Sequence, residues 1–320
     1  GWIYGTARRR AGVRTAEEAS QPLVRLAEAG GGIETLALLE RGRPGTIALL
    51  PGGRGLVYDV VDAAEGIESR IEMLDLRNNE RRTIVEAGAG PRWSPTGHIL
   101  YADEGGQLQA LPFDPDRGEA SGVALPLGLG VGTLSPRGGR FDFGPSDLLA
   151  YMVADGSSDE QRLVLYDPES ETLDTLPFVF DALRSAAFDR SGRRLLVEES
   201  GSGAVLGSSR ILDLDLGSSI RVDRDEVRGE GRPFWSPDET RSGMGNRIRG
   251  TSGGFLVTLD AEAPVERWYG DNSLRPSHWL SNGDLLFDAN RSDPDPGTRD
   301  IGILRAGATE PEWLLEAPGW

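Results

Sequence analysis

A short pattern recurs six times along the chain, at intervals of 44 to 50 residues. Each copy has an apolar or aromatic residue, a turn containing Ser, Pro or Asp, usually a glycine, and then a β-rich run. The clearest copies are 93–97 before 99–101, 188–192 before 195–197, and 279–283 before 285–287. Weaker copies begin at Leu50, Phe143 and Trp235. The turn positions 53, 97, 147, 192, 239 and 283 differ by 44, 50, 45, 47 and 44.

A fixed period of this length with strand–turn–strand content is typical of a β-propeller, whose blades bury their faces against each other. Within a period, apolar and polar residues alternate as they do in half-buried antiparallel strands. In 91–132, for example, one strand ends at 92–93, the next two cover 99–101 and 107–113, and a fourth begins at 123–127. We therefore predict an all-β protein: a β-propeller of four-stranded antiparallel blades.

The spacing assigns the whole chain, 1–320, to a single propeller domain of seven units. Their approximate bounds are 1–46, 47–90, 91–132, 133–182, 183–230, 231–272 and 273–320. Gly1 aligns with Gly97, so the first unit lacks its inner strand; the alternative count is six blades, if that unit belongs elsewhere. An open ring would expose strand edges, which folded proteins avoid. We expect neighbouring residues of a longer parent chain to complete the ring.

The segment that follows the first strand is ambiguous. Residues 15–19 could cap and start a short helix. Because the glycine triplet 30–32 makes a long helix unfavourable, we interpret 23–27 and 33–39 as a strand pair around a glycine turn.

The composition of the chain excludes several classes of partner and several catalytic mechanisms. A net charge of −17 argues against nucleic acid and against an anionic membrane surface, both of which select clustered positive charge. All 34 basic residues are arginine, so a Schiff-base or P-loop lysine is excluded. With no cysteine there is no disulfide, thiolate nucleophile or cysteine metal site. No apolar run reaches the roughly 18 residues of a spanning helix. The absence of disulfides is compatible with both the cytosol and the periplasm.

Three patterns that could carry catalysis or bind metal have simpler interpretations. Residues 250–254 match the G-x-S-x-G nucleophile elbow, but a strand follows where that motif needs a helix, so we predict a hairpin turn. His98 and His278, the two histidines of the chain, stand beside turns of different repeats, which favours structural roles. The carboxylates of 293–300 fail the spacing of a calcium loop, and we predict a plain loop there. We expect no catalytic residue, no metal site and no cofactor.

Arginines that precede the inner-strand aromatic residues are the best binding candidates. Arg184 and Arg275 lie four positions before the aromatic residue, Arg232 three and Arg92 one. Inner strands line the central channel of a propeller, so these guanidinium groups could gather at one mouth and bind a carboxylate, phosphate or acidic peptide. Alternatively, each pairs with an Asp or Glu of the adjacent blade. The unequal offsets weaken the first interpretation, because a one-residue shift turns a side chain to the other face.

The repeats resemble TolB-like (WD-like) propeller repeats, in which a Trp/Phe-Ser-Pro-Asp-Gly turn precedes a strand. The stretch 88–113, GAGPRWSPTGHILYADEGGQLQALPF, resembles a segment of the propellers appended to bacterial receptor-type serine/threonine kinases, and 299–304 and 313–320 resemble later parts of that domain. The resemblance covers most of 47–320. It implies a non-catalytic sensor or interaction domain, extracytoplasmic in such proteins, and it supplies no catalytic set to carry over.

From these features we expect an interaction or ligand-sensing module whose partner is a protein or a small anionic ligand, covalently joined to further domains of a signalling protein. The alternative is a propeller-based hydrolase or metal-dependent enzyme with a loop-built active site. That alternative needs convergent polar residues, of which the sequence offers few. A scaffold that binds another protein on its flat faces is not separated from ligand sensing by the sequence.

Overall fold

The computed structural model describes residues 1–6, 22–29, 33–39, 42–62, 68–131, 141–144, 148–154, 161–167, 170, 172–180, 183–199, 208–222, 234–248, 251–258, 266–267, 274–291, 298–308 and 310–315. These residues form antiparallel sheets whose strands follow one another in chain order. The sheets belong to two compact units that divide at Phe141. Within the stretches given above, no helix is long and apolar enough to cross a membrane.

The first unit contains three sheets. The first sheet has the strands β1 (Trp2–Thr6), β2 (Leu23–Ala27) and β3 (Glu34–Ala37). The second has β4 (Arg43–Leu49), β5 (Gly55–Asp62), β6 (Glu68–Asp75) and β7 (Arg81–Val85), with a 3-10 turn at Pro51–Gly53. The third has β8 (Ala89–Ser94), β9 (His98–Ala102), β10 (Gln107–Asp114), β11 (Glu119–Ala120) and β12 (Leu125–Gly130).

The second unit contains four sheets of four strands. The first has β13 (Phe141–Phe143), β14 (Leu149–Ala154), β15 (Gln161–Asp167) and β16 (Thr172–Phe180), and the next has β17 (Leu183–Phe188), β18 (Arg194–Glu199), β19 (Ser208–Asp213) and β20 (Ser218–Arg221). The last two have β21 (Phe234–Trp235), β22 (Arg241–Ile248), β23 (Thr251–Thr258) and β24 (Glu266–Arg267), then β25 (Leu274–Trp279), β26 (Leu285–Arg291), β27 (Thr298–Leu304) and β28 (Glu312–Leu315).

This architecture confirms the predicted all-β β-propeller of mostly four-stranded antiparallel blades. Six sheets have four or more strands, and the sheet of β1–β3 has three among the described residues. The predicted strand pair at 23–27 and 33–39 is confirmed as β2 and β3, and the alternative helix at 15–19 lies outside the described residues. The short strand β11 was not predicted; β10 is long enough to pair with both β11 and β12.

The turn positions of the repeats share one backbone conformation. Their φ angles are positive: 66° at Gly53, 86° at Gly97, 72° at Gly192, 58° at Glu239 and 90° at Gly283; position 147 lies outside the described residues. The common conformation confirms the alignment of these copies. Glycine adopts positive φ freely, whereas another residue pays about 1–2 kcal/mol. Glu239 therefore carries a conformational cost that its neighbours must offset.

The core lies between successive sheets, as the strand β5 illustrates. Leu56, Tyr58 and Val60 pack with Leu23 of β2, whereas Val57 packs with residues of β6 and β9 on the other side. Alternate side chains of one strand thus contact the preceding and the following sheet. Because both faces of β5 are covered, its buried side chains are apolar at every position except Asp59.

Candidate functional site

The four arginines predicted to gather at the channel mouth are described to different extents. Arg92 lies on β8, and its Nη1 donates to the carbonyl oxygen of Pro91 at 3.1 Å. Arg184 lies on β17 and Arg275 on β25, where only their backbones are described, and Arg232 lies outside the described residues. Their convergence stays a prediction.

Arg92 acts on a buried carboxylate of the neighbouring sheet. Asp59, on β5, is 1% exposed and accepts hydrogen bonds from the backbone N–H groups of Thr46 and Gly90. Burial raises the pKa of Asp59, while those two hydrogen bonds and the positive charge of Arg92 oppose the rise. The alternative interpretation, in which each arginine pairs with an acidic residue of the adjacent blade, also stays a prediction, although the charge of Arg92 does act on Asp59.

The other sequence candidates occupy ordinary positions in strands. His98 begins β9, and its Nδ1 lies 3.0 Å from Oγ1 of Thr96, while His278 lies on β25. Ser252 is in strand β23 and pairs with Arg247 of β22, so residues 251–254 are strand and the predicted turn at these positions is wrong. The acidic stretch 293–297 lies outside the described residues. Within the described part of the chain, no three His, Cys, Asp or Glu residues are grouped to hold a metal ion.

A cavity of about 490 Å³ opens at one edge of the last two sheets. Its lining residues are Pro237, Asp238, Arg241, Trp279, Ser281, Asn282, Gly283, Leu285, Leu304, Arg305, Ala306, Gly307 and Ala308. We call it the Arg241 pocket. The lining comes from the connections β21–β22, β25–β26 and β27–β28 and from the adjoining strand ends. In an antiparallel meander alternate connections lie at the same edge, which brings these turns together.

Trp279 forms the floor of the pocket. It is 9% exposed, its ring meets that of Phe234 edge-on at 6.1 Å, and its Nε1 donates to the carbonyl oxygen of Gly283 at 3.1 Å. Phe234 in turn packs against Gly243, where an added Cβ would lie 2.5 Å from the ring. The Trp279 ring is therefore fixed by packing against Phe234 on one side and by the hydrogen bond to Gly283 on the other.

Arg241 lies over this floor. The guanidinium carbon is 5.2 Å from the centroid of the Trp279 ring, a cation–π distance. Close by, hydrogen bonds from the Ser236 hydroxyl and the Thr240 backbone N–H, together with the charge of Arg241, hold the pKa of Asp238 at about 2. Asp238 is therefore a carboxylate at neutral pH.

The opposite wall is an ion-paired arginine. Arg305 donates from Nη1 to Asp284 and from Nε to Glu312, each at 3.0 Å. Asp284 also accepts the backbone N–H of Ala306 at 2.8 Å and the side-chain amide of Asn282 at 3.0 Å. These bonds tie the β25–β26 turn to the β27–β28 turn, so the wall is preorganised.

The arrangement suits recognition of an anion. The Arg241 guanidinium, an indole face and exposed hydroxyl and amide side chains surround a space of ligand size, whereas the charge of Arg305 is paired with Asp284 and Glu312. Sequence reasoning missed this site because it considered arginines before the inner-strand aromatic residue. Arg241 follows Trp235 by six positions, as Arg194 follows Phe188. This shared offset of six positions could have identified Arg241 as a candidate from the sequence.

Several solved structures share this fold. TolB from Acinetobacter baumannii superposes with a TM-score of 0.56 at 16% identity, over 81% of this chain and 61% of that chain. The β-propeller domain of the Trilobed protease from Pyrococcus furiosus, described as having an open velcro topology, gives 0.64 at 11% identity, over 98% of each chain. An oligogalacturonate lyase in complex with manganese gives 0.59 at 14% identity, over 76% and 75%.

The chain is thus a β-propeller, and its structure is similar to that of TolB and related propellers. It spans 61% of the length of the A. baumannii TolB structure. No protein-family model and no curated protein sequence matches it.

Proposed function

We propose that this chain is a non-catalytic interaction or ligand-sensing propeller, the sensor or scaffold part of a larger bacterial signalling protein such as a receptor-type serine/threonine kinase. The Arg241 pocket is the observation that carries the sensing role. The resemblance of 88–113 to kinase-appended propellers supports the wider context.

A preorganised pocket supports sensing because binding then requires little ordering of side chains. The Trp279 indole and the Arg305 guanidinium are already fixed by hydrogen bonds to the turns around them. Ligand pockets typically combine such an apolar floor with a few positioned polar groups. The Arg241 pocket has this composition at the open edge of two sheets, where a ligand can enter from solvent.

A thermal-shift screen of the 1–320 chain against carboxylates, phosphates, sugar acids, calcium and acidic peptides tests this role. A ligand that binds the folded state alone stabilises it by about 2.7 kcal/mol at one hundred times its Kd. We expect at least one anion to raise the unfolding midpoint and to be recovered chemically unchanged.

Turnover would contradict the proposal. Hydrolytic or metal-dependent conversion of a bound compound, abolished by His98→Ala or His278→Ala, would instead support the enzyme alternative. The same incubation, followed by chromatography of the small molecule, measures both outcomes in one experiment.

A further inference from the structure

Two arginines occupy equivalent positions in consecutive repeats. The carbonyl oxygen of Arg194 accepts the backbone N–H of Asp189 at 3.0 Å, and that of Arg241 accepts the backbone N–H of Ser236 at 2.8 Å. Each guanidinium lies over the inner-strand tryptophan of the next sheet. The guanidinium carbon of Arg194 is 4.9 Å from the centroid of the Trp235 ring. The guanidinium carbon of Arg241 is 5.2 Å from the centroid of the Trp279 ring.

Arg194 is neutralised by two carboxylates. Its Nε donates at 2.8 Å to Asp189, which is 2% exposed and belongs to the turn of the same repeat. Its Nη2 lies 3.6 Å from Glu239, which belongs to the turn of the next repeat. Glu239 also accepts the backbone N–H of Arg190, so its carboxylate links the two turns. These contacts offset the positive φ of Glu239.

Around Arg241 both of those carboxylate positions hold uncharged residues. Ser236 stands where the preceding repeat has Asp189, and Gly283 stands where Glu239 stands beside Arg194, as the shared turn hydrogen bonds and positive φ angles show. Among the described residues the Arg241 guanidinium makes no hydrogen bond and no ion pair within 4 Å, and the Asp238 carboxylate in the same pocket interacts with it through its charge. The Arg241 pocket opens beside Gly283, on the side where a glutamate would otherwise reach the arginine.

We infer that the Arg241 pocket binds the carboxylate group of a small organic acid, which takes the place beside Arg241 that the Glu239 carboxylate takes beside Arg194. This inference rests on the proposed sensing role and names its site and its ligand class. The stacked guanidinium presents a planar fork of N–H donors, which matches the two oxygens of a carboxylate.

The remaining lining selects among anions. Trp279, Leu285 and Leu304 offer apolar surface to the organic body of the acid. The Asp238 carboxylate lies in the same pocket and repels additional negative charge, so a singly charged carboxylate is favoured over a doubly charged phosphate. The volume of about 490 Å³ lies within the roughly 300–1,000 Å³ of small-molecule pockets.

Calorimetric titration of the 1–320 chain with benzoate, in a buffer free of carboxylate and phosphate, tests the inference. Benzamide has the same ring without the charge, inorganic phosphate supplies another anion, and a capped tetrapeptide with one glutamate presents the carboxylate on a peptide. Arg241→Gln removes the proposed partner. Arg194→Gln is the matched control, because it changes the same position of the preceding repeat. Circular dichroism confirms that each variant is folded.

We expect saturable binding of benzoate, at least tenfold weaker binding of benzamide and phosphate, and a loss of about 10- to 100-fold in benzoate affinity in Arg241→Gln, as for removal of a charged hydrogen-bond partner. Arg194→Gln should bind benzoate as the unchanged protein does. Tighter binding of the tetrapeptide than of benzoate would overturn the assignment to a small acid.

Gly283→Glu gives an independent test, because it introduces the carboxylate that Glu239 supplies in the preceding repeat. We expect this variant to fold and to lose benzoate binding, since its own side chain neutralises Arg241. Benzoate binding that survives both Arg241→Gln and Gly283→Glu would overturn the site while leaving a sensing role elsewhere. No saturable binding of any carboxylate would overturn the ligand class, whereas conversion of the ligand would overturn the proposed function.

Discussion

Substituting glutamine for each of the two equivalent arginines should affect folding very differently. Arg194→Gln removes the guanidinium partner of Asp189, a carboxylate that is 2% exposed. Although burial alone would raise the pKa of Asp189, its hydrogen bonds from Arg194 and Ser191 hold that pKa below the ordinary value. Arg241→Gln removes no ion pair among the described residues and forfeits chiefly the contact with the Trp279 ring.

The structure sets the size of the difference. Breaking a buried ion pair typically costs about 3–5 kcal/mol. The Arg194 side chain is 32% exposed, and Asp189 keeps the N–H groups of Arg193 and Arg194 as donors, so we expect about 2 kcal/mol for this pair. The tryptophan contact adds about 0.5–1 kcal/mol in either variant. Arg194→Gln should therefore destabilise by about 2–3 kcal/mol and Arg241→Gln by less than about 1 kcal/mol.

Urea unfolding followed by tryptophan fluorescence and circular dichroism measures both variants against the unchanged chain. The double variant Arg194→Gln/Asp189→Asn should recover part of the loss, because it no longer leaves a buried charge without its partner. Equal destabilisation by the two single variants would refute the reasoning, since it would mean that Arg241 is as fully paired in the folded protein as Arg194.

Two further outcomes follow from packing and charge. Gly302→Ala should destabilise by about 1–3 kcal/mol, because a Cβ there would lie 2.2 Å from the buried ring of Phe287, whereas Gly5→Ala, with nothing within 4 Å, should be near neutral in the same urea assay. Hydrogen bonds from Arg77 lower the pKa of Asp75 to about 2. The ionised Asp75 therefore stabilises the folded state above about pH 4, and this stabilisation is lost as the pH falls towards 2. Asp75→Asn should flatten that part of a curve of unfolding free energy against pH, and an unchanged curve would contradict the assignment.

The fold could be predicted from sequence because its repeat is local. Each inner strand, tight turn and second strand falls within 14 to 20 consecutive residues, as in 89–102 and 43–62, so the turn spacing locates the units directly. The turn predicted at position 239 is confirmed although the residue there is glutamate, because the neighbouring residues of the repeat fix its alignment. The two-residue strand β11 could not be predicted, because it depends on how far β10 extends beyond β12.

The candidate site was harder to predict, because it is defined by contacts between repeats. Whether an arginine after a turn is neutralised depends on the residue at the turn of the following repeat, about 45 residues away. Glu239 neutralises Arg194, and Gly283 leaves Arg241 beside an open pocket. A comparison of single repeats shows two similar arginines, and only the stacking of one sheet on the next distinguishes them.

The indole N–H resonance of Trp279 reports on the Arg241 pocket most directly, because this group donates to Gly283 at the pocket floor. Its signal in a ¹H–¹⁵N spectrum can be assigned by its disappearance in Trp279→Phe. We predict that benzoate shifts this resonance saturably in the unchanged chain and leaves it unmoved in Arg241→Gln. A saturable shift confined to other tryptophans, or an equal shift of Trp279 in both proteins, would contradict a carboxylate site at Arg241.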